Sequence, residues 1–315
     1  MNFSNLKIYK NAINIKKYKL INNAKASYIV YDPIILHNDE SFSNNIIPAS
    51  LKTYVDTLIN TFPKEYLNVL FNNLKTIKYK VSLENAEIFR SIIGIITDIG
   101  STEGYYNPVS NEITVISKKQ KEIFSSIAND KYISYEDIIN NILSHEIFHV
   151  ATSLVNNNIQ FCGFYQSYKL YDIGNGINEG YTELLARRYF DKEKGYYDDE
   201  VLITSLVEEI IGSDLMLDAY FKMDLNKLIN LLKEYSNIHM AKRFIINLDN
   251  YCHNPSDKLL EAILLFIINM NKNKLSKNKD ISNIEINKKN NEYTELIMSY
   301  VNKENIKAVL KRKLN

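Results

Sequence analysis

Five histidines occur in this chain of 315 residues, and two of them, His145 and His149, stand four apart in the segment His145-Glu146-Ile147-Phe148-His149. Residues four apart on a helix share a face one turn apart, so both imidazoles can reach one ion. Zinc accepts imidazole nitrogen at about 2.0–2.1 Å, and two such ligands leave a tetrahedral site that needs another protein donor. Glu146 flanks the first histidine, where a carboxylate can take a proton from water polarised by the ion and pass it on. The same five-residue pattern also occurs by accident on charged surface helices. Here the flanks, Asn141-Ile142-Leu143-Ser144 and Val150-Ala151, are largely apolar and suit a buried helix. Burying two histidines and a glutamate with no partner is costly, which favours metal binding.

The third donor separates the zinc families. A metzincin extension requires Gly at 152 and His at 155, where this chain has Thr152 and Val155. A deformylase-like site uses a cysteine upstream of the helix, and Cys162 and Cys252 both lie downstream. Further along the chain stands Gly176-Ile177-Asn178-Glu179-Gly180-Tyr181-Thr182-Glu183. With HEIFH on one helix, then a Glu in an Asn-Glu-Gly setting and an acidic residue four further on, the sequence resembles the gluzincin clan of zinc metallopeptidases. The resemblance is closest over Asn141 to Phe190, reaches back to Gly104 and is architectural elsewhere. It implies one Zn2+ per chain held by His145, His149 and Glu179, with Glu146 as general base. It also implies that Glu183 accepts a ring N–H from one ligand histidine and so fixes its tautomer. The competing interpretation is a surface pair, Glu179 and Glu183 on one helix face with Glu183 bonding Arg187.

The same resemblance carries two weaker expectations. Zinc peptidases need a donor for the developing oxyanion besides the metal. Tyr165, Tyr168 and Tyr171 precede the Glu179 helix, and Tyr171, nearest to it, is the choice, although a packing role is common for any one of 23 tyrosines. His239 and His253 are alternative donors, and the two cysteines read as small buried hydrophobes. A strand at Glu112 to Ser117 stands where zincins place the edge strand that aligns their peptide substrate.

These residues need elements to position them. Apolar residues at three- and four-residue spacing predict helices over Leu51 to Phe62 and Lys64 to Leu74, with Pro63 suiting the first turn of the second. Alternation predicts a strand at Ile77 to Val81, and turns are expected around Asn107-Pro108 and Ser110-Asn111. Ser134, with Asp137 three residues on, resembles a capping box opening a helix from Tyr135 to Val155. Asn156 to Gly176 reads as a loop or hairpin, and a helix from Ile177 to Phe190 comes after it. Beyond Asp199 the pattern is helical: Glu200 to Ile211, Ser213 to Phe221, Leu225 to Tyr235, Lys258 to Asn271 and Glu292 to Leu310, with Lys272, Lys274, Lys277 and Lys279 in a loop. The expected fold class is α+β. A zincin-like part over 1–157 has a small mixed sheet and the active-site helix, and an all-helical subdomain over 158–315 carries Glu179.

Bulk properties exclude other classes. The net charge of +1 balances 38 basic against 37 acidic residues, so nothing points to nucleic acid or an anionic membrane as partner. Two cysteines in a chain of this length do not make a disulfide scaffold, although a single bridge between them is compatible with the sequence. Lys7, Lys10, Lys16 and Lys17 interrupt every apolar run of the first 21 residues, unlike a signal peptide, and no run approaches the roughly 18 apolar residues of a membrane helix. The expectation is cytoplasmic, with secretion by another route or a removed leader as the alternative. The functional expectation is peptide-bond hydrolysis on a peptide or protein substrate. Two alternatives remain: a non-enzymatic regulatory or interaction protein with a structural zinc site, and a zinc hydrolase of non-peptide amides.

Overall fold

The computed structural model describes residues 49–82, 104–118, 134–156, 159–168, 171–192, 197–301 and 303–314. The four N-terminal lysines, and the signal-peptide question they bear on, lie outside the described residues. The described chain is mixed α+β, mainly helical with small sheets, and divides into two compact units. The first takes in residues 49–82, 104–118, 134–156 and 185–192, and the second takes in 159–168, 171–184, 197–301 and 303–314. Residues 185–192, assigned to the second part on the sequence, therefore group with the first.

In the first unit, α1 (Ala49–Thr61) and α2 (Asn68–Leu74) flank a 3-10 turn at Lys64–Tyr66 that comes directly after Pro63. Strands β1 (Lys78–Ser82), β2 (Gly104–Asn107) and β3 (Glu112–Ile116) form a sheet in the order β1-β3-β2. β1 runs parallel to β3 from Lys78 opposite Glu112, and β2 runs antiparallel to it with Tyr106 opposite Ile113. This corrects the expectation for Glu112 to Ser117. β3 is the central strand, with both of its backbone edges occupied, and β2 is an edge strand among those described. Helix α3 (Tyr135–Ala151) packs on α1, α2, β2 and β3 and carries the HEIFH segment. Its Ser134 hydroxyl accepts the Asp137 N–H at 3.0 Å and donates to the Asp137 carboxylate at 2.7 Å, the predicted cap in a modified form. The helix stops at Thr152 and passes into β4 (Ser153–Asn156), short of the expected Val155 end.

In the second unit, the expected loop or hairpin over 156–176 takes the hairpin form where it is described. β5 (Ile159–Cys162), β6 (Tyr165–Tyr168) and β7 (Tyr171–Ile173) make an antiparallel meander. Helix α4 (Asn175–Tyr189) comes next in the chain. Then come α5 (Asp198–Ile211), α6 (Ser213–Phe221), α7 (Leu225–Glu234), α8 (Ile238–His253), α9 (Asp257–Ser276), α10 (Asn283–Tyr300) and α11 (Glu304–Leu314). Side chains open several of these helices: Asp224 accepts from Lys227 N–H at 2.8 Å, and Asn237 from His239 and Met240 N–H at 3.0 Å. α8 has no counterpart in the sequence expectations. The single helix expected over Glu292 to Leu310 is two, broken at Val301, whose ψ of 118° leaves the helical region. Lys272 and Lys274 belong to α9 rather than to a loop. The core of this unit is aliphatic and aromatic, with the rings of Phe244 and Phe266 stacked at 4.8 Å. No helix among the described residues is long and apolar enough to cross a membrane.

Candidate metal centre

The C-terminal half of α3 is fully embedded: every residue from Ile142 to Ala151 is buried. Phe148 holds the helix's rotation, its ring meeting Phe62 at 6.1 Å and Phe190 at 6.0 Å between centroids. The end of α3 is tied down by Asn73 on α2, whose amide donates to the carbonyls of Val150 and Ser153, both at 2.8 Å. Gly104 lets β2 approach α3 closely, because a Cβ there would come within 2.4 Å of the Ile142 side chain. Tyr106, two residues on, then donates its backbone N–H to the Glu146 carboxylate at 2.9 Å.

On this buried helix the Nε2 atoms of His145 and His149 stand 3.0 Å apart, with ring planes 72° to each other. Two nitrogens on one tetrahedral zinc, each at about 2.0–2.1 Å, stand roughly 3.3 Å apart, so the imidazoles are turned as ligands of one ion would be. Glu179, on α4, completes the group: a ligand atom from each of His145, His149 and Glu179 lies within 4.8 Å of the others. No protein-family model, curated protein or solved structure matches the chain. All three donors, and Glu146 beside them, are between 3% and 7% exposed. Two imidazoles and a carboxylate, buried and converging, suit a first-row divalent cation better than Ca2+ or Mg2+, which favour all-oxygen sets. The residues present fit the implied metal.

Helix α4 owes its place to features that the motif alone does not reveal. Gly174 precedes it with φ of +85°, and a Cβ there would fall 2.1 Å from the Phe164 carbonyl oxygen, so only glycine fits. Having no side chain to cap α4, Gly174 leaves that task to Asp249 on α8, which accepts from Gly174 N–H at 3.0 Å and Gly176 N–H at 2.9 Å. Asn178 Oδ1 accepts Phe164 N–H at 3.0 Å. Gly176 and Gly180 abut the carbonyl oxygens of Leu248 and Glu200, each of which a Cβ would meet at 2.5 Å. Two glycines four apart form one smooth helix face. That spacing is the trace in the sequence from which close helix packing was readable.

The other predicted residues differ in burial and in their neighbours. Glu183 is fully buried, so the surface-pair interpretation of Glu179 and Glu183 does not hold. Tyr171 begins β7 opposite Tyr168, is 49% exposed, and stands about 10 Å of extended chain before Gly174. Tyr165 donates to Asp172 at 3.2 Å, and burial pushes its phenol well above the usual range. His239 is exposed in the first turn of α8 and His253 ends that helix. Cys162 and Cys252 form no disulfide. Burial, with the charges of Glu200, Glu179 and Asp249, pushes the Cys252 thiol well up, so it is protonated and unsuited to act as a nucleophile. Burial first, and then the charges of Asp199, Glu179 and Asp198, push Glu200 up to about 7.

Proposed function

We propose that the chain is a zinc-dependent peptidase of gluzincin type, with His145, His149 and Glu179 holding the ion and Glu146 as general base. The observation that carries this reading is the convergence of two α3 imidazoles and the Glu179 carboxylate within 4.8 Å of one another, all buried. Among the described residues three protein donors converge, the number found in catalytic zinc sites, which keep a position open, whereas structural sites close it with a fourth. When bound, the ion supplies Lewis acidity and acidifies a water molecule.

The chain's own groups do the rest. Glu146 takes a proton from the attacking water and delivers it to the departing amine. The Tyr106 N–H bond holds that carboxylate in one orientation beside the histidines, as a positioned base requires. Tyr106 N–H points away from β3, so by strand alternation the main-chain groups of Gly104 do too. An extended peptide laid along this outer edge of β2 takes main-chain hydrogen bonds there and brings its scissile amide toward Glu146. Tyr171 is the candidate hydroxyl for the developing oxyanion.

Metal analysis beside a peptide-library cleavage assay tests the proposal. The expected result is about one zinc per chain in wild type and in Glu146→Gln, with cleavage by Glu146→Gln reduced by about 10²–10⁴-fold. Natively purified, folded wild type without zinc overturns the metal site. Zinc-loaded wild type that cleaves no more peptide than Glu146→Gln favours a structural ion in a regulatory protein.

A further inference from the structure

Of the three donors, His145 and His149 share one helix and are fixed relative to each other by its geometry. Glu179 comes from another helix, so its approach depends on where α4 sits along its axis and how it is turned. One residue of slippage moves a helical side chain about 1.5 Å and swings it by roughly 100°. Metal sites tolerate about 0.2 Å in ligand distance. Something must therefore hold the first turn of α4 in place, and its preceding residue, Gly174, has no side chain to do it.

Resting on the metal-site reading, we propose that Asp249 is the positioning residue for Glu179, acting through the N-terminus of α4. Its two carboxylate oxygens divide the work: Oδ2 accepts Gly174 N–H at 3.0 Å and Oδ1 accepts Gly176 N–H at 2.9 Å. Two of the amide groups left without partners at the helix start are thereby satisfied, and the carboxylate charge faces the positive end of the helix dipole. Asp249 is fully buried, so water does not substitute for it. The residue before it acts on the same turn, since the Leu248 carbonyl oxygen lies where a Cβ on Gly176 would come within 2.5 Å. Consecutive residues of α8 thus clamp α4 by hydrogen bonding and by contact, one turn before Glu179.

An Asn at 249 keeps the shape but cannot keep both bonds. Whichever way its amide is turned, the NH2 group faces one of the two N–H donors. Zinc affinity of the full chain, measured by competition with a chromophoric chelator, is expected to fall about 10–100-fold in Asp249→Asn, as it does when groups supporting metal ligands are lost. Gly176→Ala, which pushes the same turn off Leu248 while sparing Asp249, is expected to lose affinity likewise. Ile297→Ala, a core truncation in α10, serves as control: it lowers the melting temperature and leaves zinc affinity at the wild-type value. Wild-type affinity in both Asp249→Asn and Gly176→Ala overturns the inference alone. So does failure of both to fold, which makes the clamp a requirement for folding. Absence of zinc binding by the wild type overturns the metal site itself.

Discussion

Glu200 shows how a single buried carboxylate couples this region to pH. It is 7% exposed at the start of α5, its carbonyl oxygen against Gly180, and its pKa is pushed up to about 7 from an ordinary 4.5, chiefly by burial. A carboxyl group whose folded pKa lies above its unfolded value binds its proton more tightly in the folded state. The contribution of Glu200 to stability is therefore fully present below about pH 4.5 and is lost as pH rises through about 7, the reverse of a salt-bridged acid. In metal-free protein, Glu200→Gln is expected to match wild type near pH 4.5 and to be more stable by about 3 kcal/mol at pH 8. Urea denaturation at the two pH values, with chelator present, checks this, and equal stabilities at pH 8 count against the assigned cause. At this same scale the candidate donor cluster was the most legible part of the chain. The residue types and their spacing at His145, Glu146 and His149 suffice to nominate a site, because helical periodicity turns a gap of four into a shared face. Glu200 carried no such signal, since its burial depends on the packing of α5 and α4.

The elements hold the donors through their ends as much as through their faces. α3 ends two residues after His149, and Asn73 on α2 spans that end with two bonds of 2.8 Å, one to the Val150 carbonyl in α3 and one to the Ser153 carbonyl that opens β4. Removing that amide leaves two part-buried acceptors without their donor. Asn73→Ala is expected to cost about 1–3 kcal/mol, read as a lowered urea midpoint with an unchanged slope. A changed slope points instead to altered compactness of the folded or denatured state. Local signals had made α3 and α6 readable, the first through Ser134 and the second through its apolar spacing. α8 offered comparable signals in Asn237 and in the spacing of Ala241, Phe244, Ile245, Leu248 and Tyr251. Its charges at Lys242, Arg243 and Asp249 obscured the pattern, and the buried role of Asp249 becomes visible only once α4 is in place. The order β1-β3-β2 was closed to the sequence for a related reason. Alternation marks a strand but says nothing about which neighbours it pairs with, so the edge role passed from β3 to β2.

For the molecule as a whole, net charge and hydropathy choose no activity, and the decision returns to what the folded chain does with a cation. A ligand that binds only the folded state stabilises it by RT ln(1 + [L]/Kd), about 2.7 kcal/mol at a hundredfold excess over Kd. In a chain of this size that corresponds to a rise of roughly 5 °C in melting temperature. Zinc added to chelator-stripped wild type is therefore expected to raise the transition by about that amount, and chelator to reverse it. Glu146→Gln, whose carboxylate is assigned to proton transfer rather than to the ion, is expected to keep the full shift. His149→Ala, short of one donor, is expected to lose most of it. Differential scanning fluorimetry of the three proteins separates ligand from base without reference to any substrate. An undiminished shift in His149→Ala assigns the stabilising ion to other residues and removes the ground for reading HEIFH as its binding site.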